Sequence, residues 1–205
     1  MRFSPGALLA SSLLLTSCDA VPAENPLEKR ERSQTGPEKS LPSDNLFGHL
    51  AYEETAQPLA DAGRYRDTGR VVQLRADAAQ AFQAMQASAR LAGVELVPIS
   101  GYRTRSYQQG LFSRAVGRYG TRQAAARWVA PPGYSEHHTG LAIDIGALQR
   151  PETDVETTFE HTPAFAWLKE NAHRFGFEIS FPRDNPQGVS YEPWHWRYTR
   201  AADSP

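Results

Sequence analysis

Cysteine is nearly missing from this chain: a single thiol, Cys18, in 205 residues excludes any intramolecular disulfide. Long apolar runs are missing as well. The richest stretch, Ala7 to Leu15, covers nine residues, where a membrane-spanning helix needs roughly 20. Neither sign of charge prevails. Lys and Arg total 22 and Asp and Glu 23, for a net charge of −1, so there is no basic footprint for nucleic acid, and no nucleic-acid partner is expected. Internal repeats are also lacking. What is present is a hydrophobic fraction of 40%, which suits a soluble core, and a length that accommodates one domain plus a leader.

The leader is residues 1–17. Arg2 supplies a positive end, the short apolar stretch follows, and Leu15-Thr16-Ser17-Cys18 resembles the cleavage box of a bacterial lipoprotein signal, in which the cysteine receives a diacylglyceryl group and becomes the mature N-terminus. Cleavage after Ala20, as in an ordinary secretory signal, is the competing reading. Residues 18–45 carry Pro22, Pro26, Pro37 and Pro42 among charged and polar residues. Such a segment buries too little surface to offset its ordering entropy and reads as a linker, with a reach of roughly 30 Å as flexible coil. The expectation is a monomeric domain over residues 46–201, lipid-anchored at Cys18 in the cell envelope facing the periplasm or exterior, with a short tail at 202–205.

Within the domain, residues 46–70 carry no clear period; Leu46 to Tyr52 is apolar enough to pack as an extended segment. Leu74, Ala78, Ala81, Phe82, Met85, Ala89 and Ala92 recur at helical spacing, and Gly93 follows as a terminator. Val94 to Ile99 reads as a strand. Helices are predicted from Ser106 to about Arg118 and from Thr121 to Trp128, with Ser106 and Thr121 as N-caps. Thr162-Pro163 opens a further helix that ends before Gly176, and Phe177 to Phe181 reads as a strand. Helices come early and short strands late, so the fold class is α+β, with a small, mostly antiparallel sheet packed by several helices.

Two stretches carry chemistry. In Ser135-Glu136-His137-His138-Thr139-Gly140-Leu141-Ala142-Ile143-Asp144, the alternation from Leu141 to Ile145 is that of a strand. Gly140 permits a bend that returns His137 over the Asp144 face. An imidazole and a carboxylate converging in this way are half of a metal site, and zinc suits mixed ligands. The other half lies in Tyr191-Glu192-Pro193-Trp194-His195-Trp196-Arg197-Tyr198, a strand entered through a turn. His195 and Arg197 share one face and Trp194, Trp196 and Tyr198 the other. Glu192 and His195 are an odd number of residues apart, so a bend at Pro193 is required for both to reach one site.

Ser-x-His-x-x-Gly-x-Ala-x-Asp followed by Glu-x-x-His resembles the zinc D-alanyl-D-alanine carboxypeptidases, the VanY-type cell-wall peptidases. Ser100-Gly101-Tyr102-Arg103, with Gln108 five residues on, is similar to that family too, and the likeness runs from about Leu74 to Tyr198. A catalytic zinc takes three protein ligands and leaves a fourth position for water. His137, Asp144 and His195 would be those ligands, Glu192 the proton carrier, and Arg103 the fixed cation facing the developing oxyanion. The resemblance implies the same roles and adds Gln108 and Ser135 as substrate contacts, expected to hold a C-terminal carboxylate. His138 is the rival of His137 as ligand; His49 reads as a packing histidine, and His161 and His173 as surface residues.

The resulting expectation is a Zn2+-dependent carboxypeptidase acting on peptidoglycan stem peptides and releasing D-alanine. L,D-cleavage, a peptidoglycan endopeptidase, and a peptidoglycan-binding zinc module without catalysis stay open as alternatives. Glu192 separates the last from the others, because a binding module needs no proton carrier. Residues 146–162 are a charged excursion that would border the cleft.

Overall fold

A computed structural model describes residues 45–200. Cys18, the signal and most of the linker lie outside the described residues, as does the tail. Twelve regular elements follow in order. A minimal hairpin, β1 (Asn45–Leu46) and β2 (His49–Leu50), leads to a longer one, β3 (Leu59–Tyr65) and β4 (Arg70–Arg75). Then come α1 (Ala76–Leu91), β5 (Leu96–Ser100), α2 (Arg105–Tyr119), α3 (Arg122–Ala126) and β6 (Ala142–Ala147). The series closes with α4 (Pro163–Asn171), β7 (Phe177–Ile179) and β8 (His195–Tyr198). The architecture is α+β, and its main sheet has the order β5-β6-β8-β7 with every pairing antiparallel.

One face of that sheet makes the core. Ile143, Ile145, Phe177 and Trp196 pack with Phe82 and Met85 of α1 and with Phe165 and Leu168 of α4. The heptad-like apolar face of α1 is as the spacing predicts, with Ala78, Phe82, Met85 and Ala89 buried, and Gly93 takes the left-handed conformation just beyond it. Thr162 caps α4, its hydroxyl accepting the Phe165 N–H at 3.1 Å, with Pro163 in the first helical turn.

Two local expectations are corrected, and one hairpin adds to them. Leu74 is in β4, not in α1; its fully buried side chain joins the same core, so it mimics a helical position. The β3–β4 hairpin itself was not legible, because a bulge between Asp61 and Gly63 breaks the alternation by which a strand is recognised. The N-cap of α2 is Thr104, whose hydroxyl accepts the Tyr107 N–H at 3.1 Å, rather than Ser106. Residues 146–162 form two 3-10 turns, and the excursion is tied back by the Arg66–Asp154 ion pair at 2.6 Å.

Candidate metal centre

Antiparallel register builds the centre. Asp144 on β6 stands opposite His195 on β8 and opposite Ser100 at the end of β5, and opposed residues place their side chains within contact distance on one face. His137 arrives from a 3-10 turn, Glu136–Thr139, that ends at Gly140 with φ 68°, the left-handed bend expected there. Glu192 is not on the last strand. It precedes β8 in a turn closed by the His195 N–H to its carbonyl at 3.1 Å, and this is the bend at Pro193 that brings Glu192 and His195 to one place.

His137, Asp144 and His195 are all buried, and one ligand atom from each lies within 4.8 Å of the others. Hydrogen bonds decide which atoms. His137 Nδ1 faces the Gly101 carbonyl at 2.7 Å. A carbonyl only accepts, so Nδ1 carries the proton and Nε2 is left for Asp144 Oδ1, 3.4 Å away. His195 Nε2 faces Glu136 Oε2 at 2.9 Å and turns Nδ1 toward the same Asp144 oxygen at 3.2 Å. A tetrahedral zinc with bonds of about 2.0–2.2 Å sets its ligand atoms about 3.3–3.6 Å apart. The two nitrogens lie at 3.2 and 3.4 Å from one carboxylate oxygen, close to that spacing, and two imidazoles with one carboxylate are a suitable donor set.

His138 is excluded by its own bonds. Nδ1 donates to the Arg103 carbonyl at 2.7 Å and Nε2 accepts the Gly133 N–H at 3.0 Å, so both nitrogens of the neutral ring are in use. It braces two loops of the site instead. His49 is the packing histidine expected, bonded through Nε2 to the Ala126 carbonyl at 2.6 Å and set edge-on to Phe181.

Charge in this buried site is arranged around the triad. Burial opposes ionisation of Asp144, but His137, the Arg103 guanidinium and His195 hold its carboxyl well below the usual range. Burial and the nearby Arg103 charge lower His137 to about 4. Burial acts against protonating His195 too, yet the hydrogen bonds to Asp144 and Glu136 raise it to about 10. A positive charge therefore belongs at His195 Nδ1, where a metal ion can replace the proton. Glu192 is buried, with Oε2 at 3.8 Å from His195 Nδ1. Burial, with the negative charges of Asp144 and Glu136, pushes it up to about 8 against the pull of His195 and Arg103.

The triad and Glu192 open onto a cavity of about 580 Å³ that Arg103, Gln108 and Ser135 also line. Val155, Glu156 and Thr157 line it as well, so the excursion is indeed part of the cleft wall. Arg103 gives Nε to Ser100 Oγ at 2.8 Å and Nη2 to Asp144 Oδ2 at 2.5 Å, fixing the guanidinium beside the triad. Gln108 is placed differently from expectation. Its Nε2 donates to the Ala130 carbonyl at 2.8 Å, its backbone N–H bonds to the Thr104 carbonyl, and Oε1 is buried without a hydrogen-bond partner among the described residues. What it offers is an acceptor, suited to an N–H rather than to a carboxylate.

Sequence reasoning missed Glu136 altogether, along with Tyr52. Glu136 Oε1 accepts from Tyr52 OH at 3.1 Å and from Arg197 Nη1 at 3.2 Å while Oε2 holds His195. Burial alone would raise this carboxyl; the His195 hydrogen bond and charge, then Arg197, take it down to about 2. The one available signal was the shared face of His195 and Arg197 on the last strand.

A buried His–Asp–His set with a buried carboxyl beside it, lining a cleft, has the make-up of a single-metal site with an open position. The profile of the VanY family, described as D-alanyl-D-alanine carboxypeptidase, matches residues 71–201. The chain belongs to this family. It is 42% identical over 121 residues to a D-alanyl-D-alanine carboxypeptidase of Enterococcus faecalis, covering 54% of this chain and 42% of that protein. The LdcB LD-carboxypeptidase superposes with a TM-score of 0.64 and 32% identity, over 73% of this chain and 72% of that one. A mutant of the vancomycin-resistance D,D-pentapeptidase VanY from a VanB-type cassette, in complex with Zn(II), superposes with a TM-score of 0.57 and 31% identity, over 75% and 88%. The chain spans about half or less of the length of the curated relatives it matches.

Proposed function

We propose that this protein is a zinc carboxypeptidase that hydrolyses the C-terminal peptide bond of peptidoglycan stem peptides and releases D-alanine. The observation that carries the reading is Glu192, a buried acid raised to about 8 and 3.8 Å from the inner nitrogen of His195. A module that only binds has no use for such a group; a hydrolase needs one to take a proton from water and return it to the departing amine. His137 Nε2, Asp144 and His195 Nδ1 would hold the zinc. When bound, the metal supplies Lewis acidity and a nucleophile at neutral pH. Arg103, immobilised by Ser100 and Asp144, supplies the fixed cation near the carbonyl oxygen as charge develops there. Ser135 and Gln108 meet the substrate, Gln108 by accepting an N–H of the peptide. Across the reaction one water molecule adds over the C–N bond: its oxygen goes to the acyl carbon, and Glu192 relays a proton to the nitrogen.

The structural likeness to an LD-carboxypeptidase supports a second reading, cleavage of a tetrapeptide at the bond before its terminal D-alanine. Defined stem pentapeptide and tetrapeptide, incubated separately with zinc-loaded protein and read by mass, discriminate. Loss of one alanine from the pentapeptide alone supports the D,D reading, loss from the tetrapeptide alone supports the L,D reading, and products cut within the chain overturn both. The lipoprotein-like stretch at Cys18 further supports an anchored enzyme in the cell envelope, and Cys18→Ser should then shift the protein from the membrane fraction to the soluble one.

A further inference from the structure

We propose that the segment ahead of β3, residues 45–58, is a working part of the metal centre: Tyr52 is a positioning residue that, through Glu136, aims His195 Nδ1 at the metal. The inference rests on the zinc reading of the triad. The segment precedes the residues that the family profile matches, 71–201, yet its polar contacts converge on the site. Tyr52 N–H donates to the Gly133 carbonyl at 2.8 Å and Thr55 N–H to the His138 carbonyl at 2.9 Å. Glu54 Oε1 accepts the Arg105 N–H at 2.6 Å, in the first turn of α2, and Oε2 accepts from Tyr102 OH at 3.1 Å. The backbone bonds of Tyr52 and Thr55 thus tie the segment to the loop that carries His137, and the Glu54 carboxylate ties it to the residues flanking Arg103.

The hydroxyl completes a closed triangle. Tyr52 OH donates to Glu136 Oε1, Arg197 Nη1 donates to the same oxygen, and Arg197 Nη1 also reaches Tyr52 OH at 3.4 Å, with its guanidinium over the tyrosine ring. A carboxylate with two donors on one oxygen cannot turn, so its other oxygen stays on His195 Nε2. That bond keeps the proton on Nε2 and Nδ1 free to ligate, and it sets the plane of the ring. Without the tyrosine hydroxyl, Glu136 Oε1 keeps the Arg197 donor, whose side chain is 32% exposed and can be drawn into solvent, and the carboxylate keeps a hydrogen bond from Ser180. Carboxylate partners of metal-bound histidines typically govern metal affinity by about 10–100-fold.

The test reads metal, not peptide. Full-length protein is stripped of metal, and its zinc dissociation constant is measured by competition with a chelator, alongside the Tm of the metal-free form. Tyr52→Phe keeps the ring and should weaken zinc by about tenfold, with the metal-free Tm unchanged; Glu136→Gln should weaken it further, toward about 100-fold, and alter the visible spectrum of the cobalt-loaded protein. Tyr102→Phe removes a hydroxyl that binds the same segment away from the triad, and should leave zinc affinity as in the parent. A Tyr52→Phe or Glu136→Gln constant within about twofold of the parent overturns the proposal, as does an equal loss in Tyr102→Phe. A parent that binds no zinc at all defeats the zinc reading itself, which is a separate result.

Discussion

The two faces of the main sheet are chemically opposite, one sealed by helices and the other lining the cleft. On one, Ile143, Ile145, Trp196 and Phe177 meet α1 and α4. On the other, strands alternating with the same residues present Asp144 and His195, joined there by Glu136, Glu192 and Arg103. The apolar face stabilises the fold through area removed from water and packing contacts, terms that tolerate changes of shape so long as volume is kept. The polar face contributes little net stability, since the desolvation of its charges offsets their attraction. It is sustained only because nearly every donor there has an acceptor. A substitution on the first face should therefore cost stability and spare chemistry, whereas one on the second should cost chemistry, and stability as well where it leaves a buried charge unpaired.

The sharpest break in that comparison is Glu192→Ala. Loss of the proton carrier should reduce turnover of the stem peptide by about 10²–10⁴-fold while zinc stays bound. Steady-state rates with elemental analysis of the same sample check it; retention of more than about a tenth of the activity would remove Glu192 from its role. The matching cut on the apolar face is Phe82→Ala, expected to cost about 3–5 kcal/mol in denaturant unfolding, with the zinc affinity of the folded fraction unchanged.

Next in size is an effect of pH. In the metal-free protein Glu192 is raised to about 8 from an ordinary value of 4.5. Between those values the folded chain keeps a proton that the unfolded chain has released. Stability is therefore whole below the lower value and is lost as pH rises toward the upper one. Glu192→Gln cannot ionise, so by calorimetry in chelator its Tm should exceed the parent's by several degrees above that window and match it below. A difference that is the same at both ends would detach the effect from this carboxyl. The smallest prediction lies away from both faces: Thr162→Ala, which removes the cap of α4, should cost about 1 kcal/mol without affecting zinc or turnover.

Legibility differed between regions for physical reasons. Helices α1 and α4 could be read because spacing, caps and terminators are local: Phe82 and Met85 three apart, Thr162 before Pro163, Gly93 and Gly176 in left-handed turns. The β3–β4 hairpin could not, since its bulge and polar exposed face leave no period. Glu136 had no distinguishing mark beside His137, because its meaning comes from Tyr52 and Arg197, 84 and 61 residues away in the chain.

By itself, the sequence determined the composition of the centre: two histidines, an aspartate and a glutamate at spacings that let turns and strands converge, together with the bend at Gly140 and the need for another at Pro193. Only the tertiary structure decided how those residues act. The antiparallel register sets Asp144 against His195, the Gly101 carbonyl chooses Nε2 of His137 as the free nitrogen, and Glu136 chooses Nδ1 of His195. It also spent both nitrogens of His138 on loops and the amide of Gln108 on Ala130. Residue type sets what a side chain can donate or accept, but which partner it meets depends on contacts between segments far apart in the chain, and no local pattern encodes those.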